Sequence, residues 1–211
     1  MPKRDIQVIS HSTATNHRIV ATLNEPFPDV TFHATTPALP DLIHLNPEPG
    51  LEANPPAPLT LLQAYGELAA TRSQYVARYL DLLSQLEKTQ PHNALVEAAA
   101  GRRDLKAGSF SSAAKHLQHS AELAPPSATT CADLAHALAQ LGRRDEAVSW
   151  LEKSIGLDPF NPFAQKSLIV ELIDLKRYTQ ARAALEHYVQ VFPQDAFMRQ
   201  MLDKARAQPA Q

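Results

Sequence analysis

The chain has 211 residues, 44% of them hydrophobic, with 20 basic against 22 acidic side chains and a net charge of −2. Such a balance suits a chain that buries a core and argues against a nucleic-acid surface, which needs a concentrated basic face. A single cysteine, Cys131, excludes an internal disulfide and a cysteine-rich metal site, and no stretch approaches the ~18 apolar residues of a membrane span.

Residues 1–57 read as a proline-rich arm. Ten of the 17 prolines lie in residues 1–58, and proline fixes φ and lacks the amide proton, so no long helix survives there. Asn24-Glu-Pro-Phe-Pro-Asp and Asn46-Pro-Glu-Pro-Gly predict extended, polyproline-like chain with turns and almost no regular structure. Ile6, Val8, Ile19, Val20, Val30, Phe32, Leu42, Ile43 and Leu45 make the arm richer in apolar residues than a solvated tail. An extended strap lying along the rest of the chain is expected. Met1-Pro-Lys-Arg is basic but no apolar run follows it, so it does not read as a secretory signal.

From Pro58 a helical period takes over. Leu61, Leu62, Tyr65, Leu68 and Ala69 recur at three and four, and Tyr75, Val76, Leu80, Leu82 and Leu83 continue after Thr71. Beyond this point one unit returns every 34 residues. Pro91, Pro125, Pro159 and Pro193 keep that step, as do Ala113, Ala147 and Ala181, and Leu117, Leu151 and Leu185. Two residues after each proline stands a helix-capping residue: Asn93, Ser127, Asn161 and Asp195. A fixed period of this length marks stacked helix pairs.

The pattern predicts helices at 94–106 and 110–123, 128–141 and 144–157, 162–175 and 178–191. The alanines mark close helix approach, where interaxial distance follows side-chain size. Gly108 and Gly142 suit the turn within each pair; Lys176 stands in their place in the last repeat, so a different turn is expected there. Residues 58–93 read as a degenerate first repeat, because bulky Tyr79 occupies the alanine position. A final helix from Ala196 shows an apolar face of Phe197, Met201, Leu202 and Ala205, opposite Arg199 and Lys204, the polar outer side a terminal repeat needs.

These repeats, 94–127, 128–161 and 162–195 followed by a capping helix and tail at 196–211, resemble the tetratricopeptide family. The resemblance implies an all-α helix-turn-helix solenoid whose first helices line a groove for a protein or peptide partner. The groove-facing residues it implies are Arg102, Lys106, His136, Gln140, Lys166, Val170 and Asp174. That mixture of charge, amide and apolar character names no ligand. It also lacks the lysine-and-asparagine set with which chaperone-tail receptors clamp a terminal carboxylate.

Catalysis finds little support: there is no glycine-rich phosphate loop, no Gly-x-Ser-x-Gly elbow and no His-Glu-x-x-His pair. Cys131 reads as a buried small thiol on a first helix and Trp150 as interhelical packing. His116 and His119, three apart on one face, have the spacing of a metal pair but no third ligand nearby in sequence; His92 and His187 read as surface residues.

The arm carries a second resemblance. Met1-Pro2-Lys3-Arg4, His11, and Thr15-Asn16-His17-Arg18-Ile19 look like the segment after the last haem motif in multihaem c-type cytochromes with C-terminal tetratricopeptide repeats. Cys-x-x-Cys-His is absent from this chain, so it holds no haem c covalently by itself. The resemblance implies that in a longer parent protein His11 and His17 serve as axial ligands, with His33 and His44 as weaker candidates. Two functions from different classes follow: a non-catalytic binding scaffold, or the terminal module of an electron-transfer protein. The first implies the cytoplasm if Met1 is the true start, the second the periplasm.

Overall fold

The computed structural model describes residues 3–5, 13–15 and 56–207. The chain divides into two compact units, Met1–Pro40 and Asp41–Gln211. In the first unit, β1 (Lys3–Asp5) and β2 (Thr13–Thr15) pair antiparallel, with Lys3 opposite Thr15, Arg4 opposite Ala14 and Asp5 opposite Thr13. This short ladder is the small amount of regular structure described in the arm; Thr13-Ala-Thr15 has β-branched threonines at both ends and no proline, so it can pair. The strap expected from the arm's apolar residues lies outside the described residues.

Among the described residues of the second unit there are nine α-helices: α1 (Pro58–Thr71), α2 (Val76–Thr89), α3 (Ala94–Lys106), α4 (Phe110–Leu123), α5 (Ala128–Gln140), α6 (Arg144–Leu157), α7 (Pro162–Asp174), α8 (Tyr178–Val191) and α9 (Ala196–Ala207). Successive helices pack on one another, and the first helices of neighbouring pairs, α1 on α3 and α3 on α5, also touch. The array is therefore built from near neighbours in sequence, as a 34-residue period requires.

The capping residues do what their chemistry predicts. Asn93 Oδ1 accepts from the Leu95 amide at 3.0 Å, Ser127 Oγ from Thr130 at 3.1 Å, Asn161 Oδ1 from Phe163 and Ala164 at 3.0 and 3.2 Å, and Asp195 Oδ1 from Met198 at 3.1 Å. Each satisfies an amide that the first turn leaves without an intrahelical partner. The second helices α4, α6 and α8 end two residues before Pro125, Pro159 and Pro193, because the residue preceding proline is driven out of the helical region.

The turn within the last pair does not differ from the others. Lys176 takes φ 58°, beside 72° at Gly108 and 76° at Gly142. The hydrogen bonds match too: the amides of Ser109, Arg143 and Arg177 reach back to the carbonyls of Asp104, Leu138 and Leu172 at 2.9, 2.9 and 2.8 Å. Closure of this turn outweighs the cost of a left-handed lysine.

Ala113, Ala147 and Ala181 are buried, as are Leu117, Leu151 and Leu185. With Leu134, Ala135 and Leu138, the residues Ala113, Leu117, Ala147 and Leu151 form the middle of the core, and Trp150 packs against its edge, while Ala181 and Leu185 belong to the clusters built around α7 and α8. Gly101 marks an approach closer still: a Cβ there would lie 2.5 Å from Leu117 Cγ. The first helix pair exchanges sizes. Tyr79 fills the position of the alanines and its hydroxyl donates to the Ala99 carbonyl at 3.1 Å, while Gly66 opposite leaves room for the ring.

The last helix corrects the face expected from its sequence. Met198 and Leu202 are buried against Ile169, Leu185 and Tyr188, whereas Phe197 is 71% exposed. Leu202, and Met201 at the cluster's edge, keep the expected face; the correction is at one position, where Met198 takes the place expected of Phe197.

Candidate functional site

The first helices carry side chains that the core does not use, on one face. Leu95, Arg102 and Lys106 on α3 are spaced by seven and four residues, as are Thr129, His136 and Gln140 on α5 and Phe163, Val170 and Asp174 on α7. At 3.6 residues per turn these spacings keep each trio within about 40° of one line along its helix. Phe197 on α9 continues the first series at the same 34-residue step.

The basic end of this face is a cluster. Arg102 Nε lies 3.3 Å from Asp133 Oδ2 on the next first helix. Both atoms are shielded from solvent, yet neither has a hydrogen-bond partner among the described residues. Burial pushes the Asp133 carboxyl above the ordinary carboxylate range, although Arg102, His136 and Lys106 pull it down. His136 is exposed and stacks on Phe110, ring centroids 6.1 Å apart; Lys106 and Gln140 are exposed on their helix ends.

Farther along, the remaining charges are matched internally. Lys166 Nζ lies 2.7 Å from Asp195 Oδ2 and 5.5 Å from the centre of the Tyr188 ring. Asp174 pairs with Arg144 at 2.8 Å, and Arg144 also donates to Glu171 at 2.6 Å. Between these pairs stand exposed apolar groups, Phe163 at 53%, Val170 at 52% and Phe197 at 71%.

The structure thus brings Arg102, Lys106 and His136 around one carboxylate, keeps Val170 open, and engages Lys166 and Asp174 in ion pairs. Asp133, Phe110, Phe163 and Phe197 are face residues that sequence reading missed. Counting back seven from Val170 identifies Phe163, and the 34-residue step then gives Phe197. Asp133 has no such signal, since Ala99 and Ser167 occupy its place in the neighbouring repeats. His11 and His17 lie outside the described residues.

A second polar group fills the interface of α3 and α4. Glu97 takes His116 Nδ1 at 2.6 Å and His119 Nδ1 at 3.3 Å, and His92 lies edge-on to the His119 ring. Asp104 accepts from Arg103 at 2.9 Å and from Ser112. Burial would raise the Asp104 carboxyl, but Ser112, Arg103 and His116 outweigh it and hold it below its usual range. Arg103 also donates to both Glu87 oxygens at 2.8 and 2.9 Å, tying α2 to α3. Among the described residues no group of three or more His, Cys, Asp or Glu converges to hold a metal. Cys131 is buried, and burial pushes its thiol up, away from the thiolate a nucleophile needs.

Residues 104–169 match the tetratricopeptide repeat family model. None of the proteins of curated function matches the sequence. Among solved structures, a crystal structure of the MamA protein superposes with a TM-score of 0.59 at 18% identity, over 71% of this chain and 81% of that one. YrrB, described as a tetratricopeptide protein with an unusual peptide-binding site, gives 0.59 at 12% identity, over 71% and 75%. A structure of the Cut9–Hcn1 hetero-tetramer gives 0.58 at 17%, over 70% of this chain and 29% of that one. At these identities the likeness is one of fold. None of these matches supports the cytochrome resemblance of the arm. The helical part of this chain therefore has the fold of a tetratricopeptide-like helical array, with residues 104–169 matching the repeat model itself.

Proposed function

We propose that the chain is a binding scaffold without catalytic activity of its own, and that a segment of another protein lies across the face formed by α3, α5 and α7. The observation that carries this reading is the division of labour along each first helix. One side closes the core through Leu134, Leu138, Ile169 and Leu172, all buried, while the trios at seven-and-four spacing take no part in that apolar core. Val170 and Phe163 remain half exposed, and open apolar groups beside charged ones are the composition of a recognition surface rather than a solvated one. A solenoid supports this use because every repeat adds one more strip of the same face. The match to tetratricopeptide repeats, which are generally protein-interaction modules, points the same way.

The test is selection of peptides from a random displayed library on the full chain, followed by amide-shift mapping of a selected peptide. Shifts concentrated at Arg102, His136, Gln140 and Val170 are expected. Shifts confined to the second helices α4, α6 and α8 would overturn the proposal.

A further inference from the structure

Resting on that reading, we infer that the partner segment is bipolar: acidic residues at the end lying on α3 and α5, and an aromatic or aliphatic anchor at the end lying on α7 and α9. The argument is charge complementarity along the face. On α7, Lys166 is paired with Asp195, and Arg144 is shared by Asp174 and Glu171, so among these groups no cation is left over for a partner's carboxylate. What that half offers is Phe163, Val170 and, from α9, Phe197, each more than half exposed. On α3 and α5 the balance is different. Lys106 has no ion pair among the described residues, and Asp133 offsets only one of the two cations Arg102 and Lys106. The Arg102–Asp133 pair is also incomplete, since its two facing atoms lack hydrogen bonds. A carboxylate entering here would meet Lys106 and Arg102 together, with the His136 ring held beside them on Phe110.

The size of the occupant follows from the spacing. Neighbouring first helices lie roughly 10 Å apart, so three steps from α3 to α9 span about 30 Å. An extended segment covers that with about nine residues. Its acids and its anchor are therefore separated along the chain rather than interleaved.

The experiment uses the full chain and a fluorescein-labelled peptide of about twelve residues, with Asp and Glu in one half and two Phe in the other. Fluorescence anisotropy should show binding that falls about tenfold or more when the acids become lysines, and similarly when the Phe become Ser. Lys106→Glu should weaken the parent peptide but reverse in sign for the lysine peptide, while Val170→Asp weakens both. Both substitutions are at exposed sites, and thermal melts confirm that the variants fold. Binding of the parent peptide should also weaken as salt rises above about 0.1 M, where exposed charges are screened. Equal affinity for the acidic and lysine peptides, or affinity unmoved by both substitutions, would overturn the inference, as would no binding of the parent peptide. If library peptides map to the face but carry basic residues toward α3, the bipolar assignment fails and the binding face stands. If they map elsewhere, both fail.

Discussion

Ser154 Oγ donates to the Ala128 carbonyl at 2.8 Å, joining the last turn of α6 to the first turn of α5. Thirty-four residues earlier Ser120 Oγ makes the same bond to the Ala94 carbonyl at the same 2.8 Å. Both serines are buried. The bond fixes the open ends of a helix pair, opposite the turn that joins them, so the pairs α3–α4 and α5–α6 are closed at both ends.

Ser154→Ala should therefore destabilise the array by about 1 kcal/mol, the net worth of one such bond. The Ala128 carbonyl keeps its intrahelical partner, which limits the loss. Ser149→Ala is the control: Ser149 Oγ only reaches back to Asp145 on its own helix, exposed, where alanine is the better helix former. Urea denaturation should separate the two variants, with Ser154→Ala lower than wild type and Ser149→Ala equal or higher. Equal midpoints would mean that the cross-helix bond contributes nothing.

The second prediction sets two glycines against each other. A Cβ at Gly101 would sit 2.5 Å from Leu117 Cγ and 3.3 Å from the Ala113 carbonyl oxygen, whereas one at Gly156 meets nothing within 4 Å. Both are helical. Gly101→Ala should cost about 1–3 kcal/mol by overpacking buried Leu117, and Gly156→Ala should gain up to about 1 kcal/mol in helix propensity. Thermal melts of the two variants should shift in opposite directions; a shared sign would show that the approach of α3 and α4 is not tight.

What the sequence disclosed is what it repeats. Caps, turn positions and Ala113, Ala147 and Ala181 recur with the period, so each copy vouches for the others. Ser120 and Ser154 recur as well, but Tyr188 holds the third position, and two members make a weak series. There the tyrosine hydroxyl turns instead to Asp195 at 3.0 Å. Asp133 could not be found from period at all, because it is a single substitution whose meaning depends on Arg102 arriving from another helix. The same holds for Glu97 and Asp104, which stand where the next repeat has Cys131 and Leu138. A carboxylate at a core position becomes intelligible only once packing shows His116, Ser112 and Arg103 around it. On α9, Phe197 and Met198 are adjacent apolar residues, and hydrophobic pattern alone does not decide which one faces α8.

Lys176 supplies the third prediction. It holds φ 58° in the position that Gly108 and Gly142 hold at 72° and 76°. A non-glycine residue in the left-handed region costs about 1–2 kcal/mol, partly offset by the greater freedom glycine gains on unfolding. Lys176 is exposed, so little packing is lost with it. Lys176→Gly should stabilise the chain by about 0.5–1 kcal/mol, read as a raised denaturation midpoint, while Gly142→Lys should do the reverse. A midpoint lowered by Lys176→Gly would mean that the side chain makes a contact worth more than the strain.

The last prediction concerns acid. Asp195 accepts from Lys166 at 2.7 Å, from the Met198 amide at 3.1 Å and from the Tyr188 hydroxyl at 3.0 Å. Lys166 above all, then the Met198 amide, bring its carboxyl down from an ordinary 3.8 to about 2. A carboxylate depressed in the folded state stabilises above its unfolded value and loses that contribution as pH falls through the folded one. The Asp195 contribution is therefore complete above about pH 4 and disappears between about 4 and 2. Asp104 and Glu146, also held down by their partners, act in the same direction; Asp133, raised by burial, acts against them. Asp195→Asn isolates the effect, since asparagine keeps an oxygen for the Met198 amide but carries no charge for Lys166. Wild type should melt above the variant at pH 7, and the gap should close as pH is lowered from about 4 to about 2. A gap of constant width over that range would assign the role of Asp195 to its cap geometry and not to its charge.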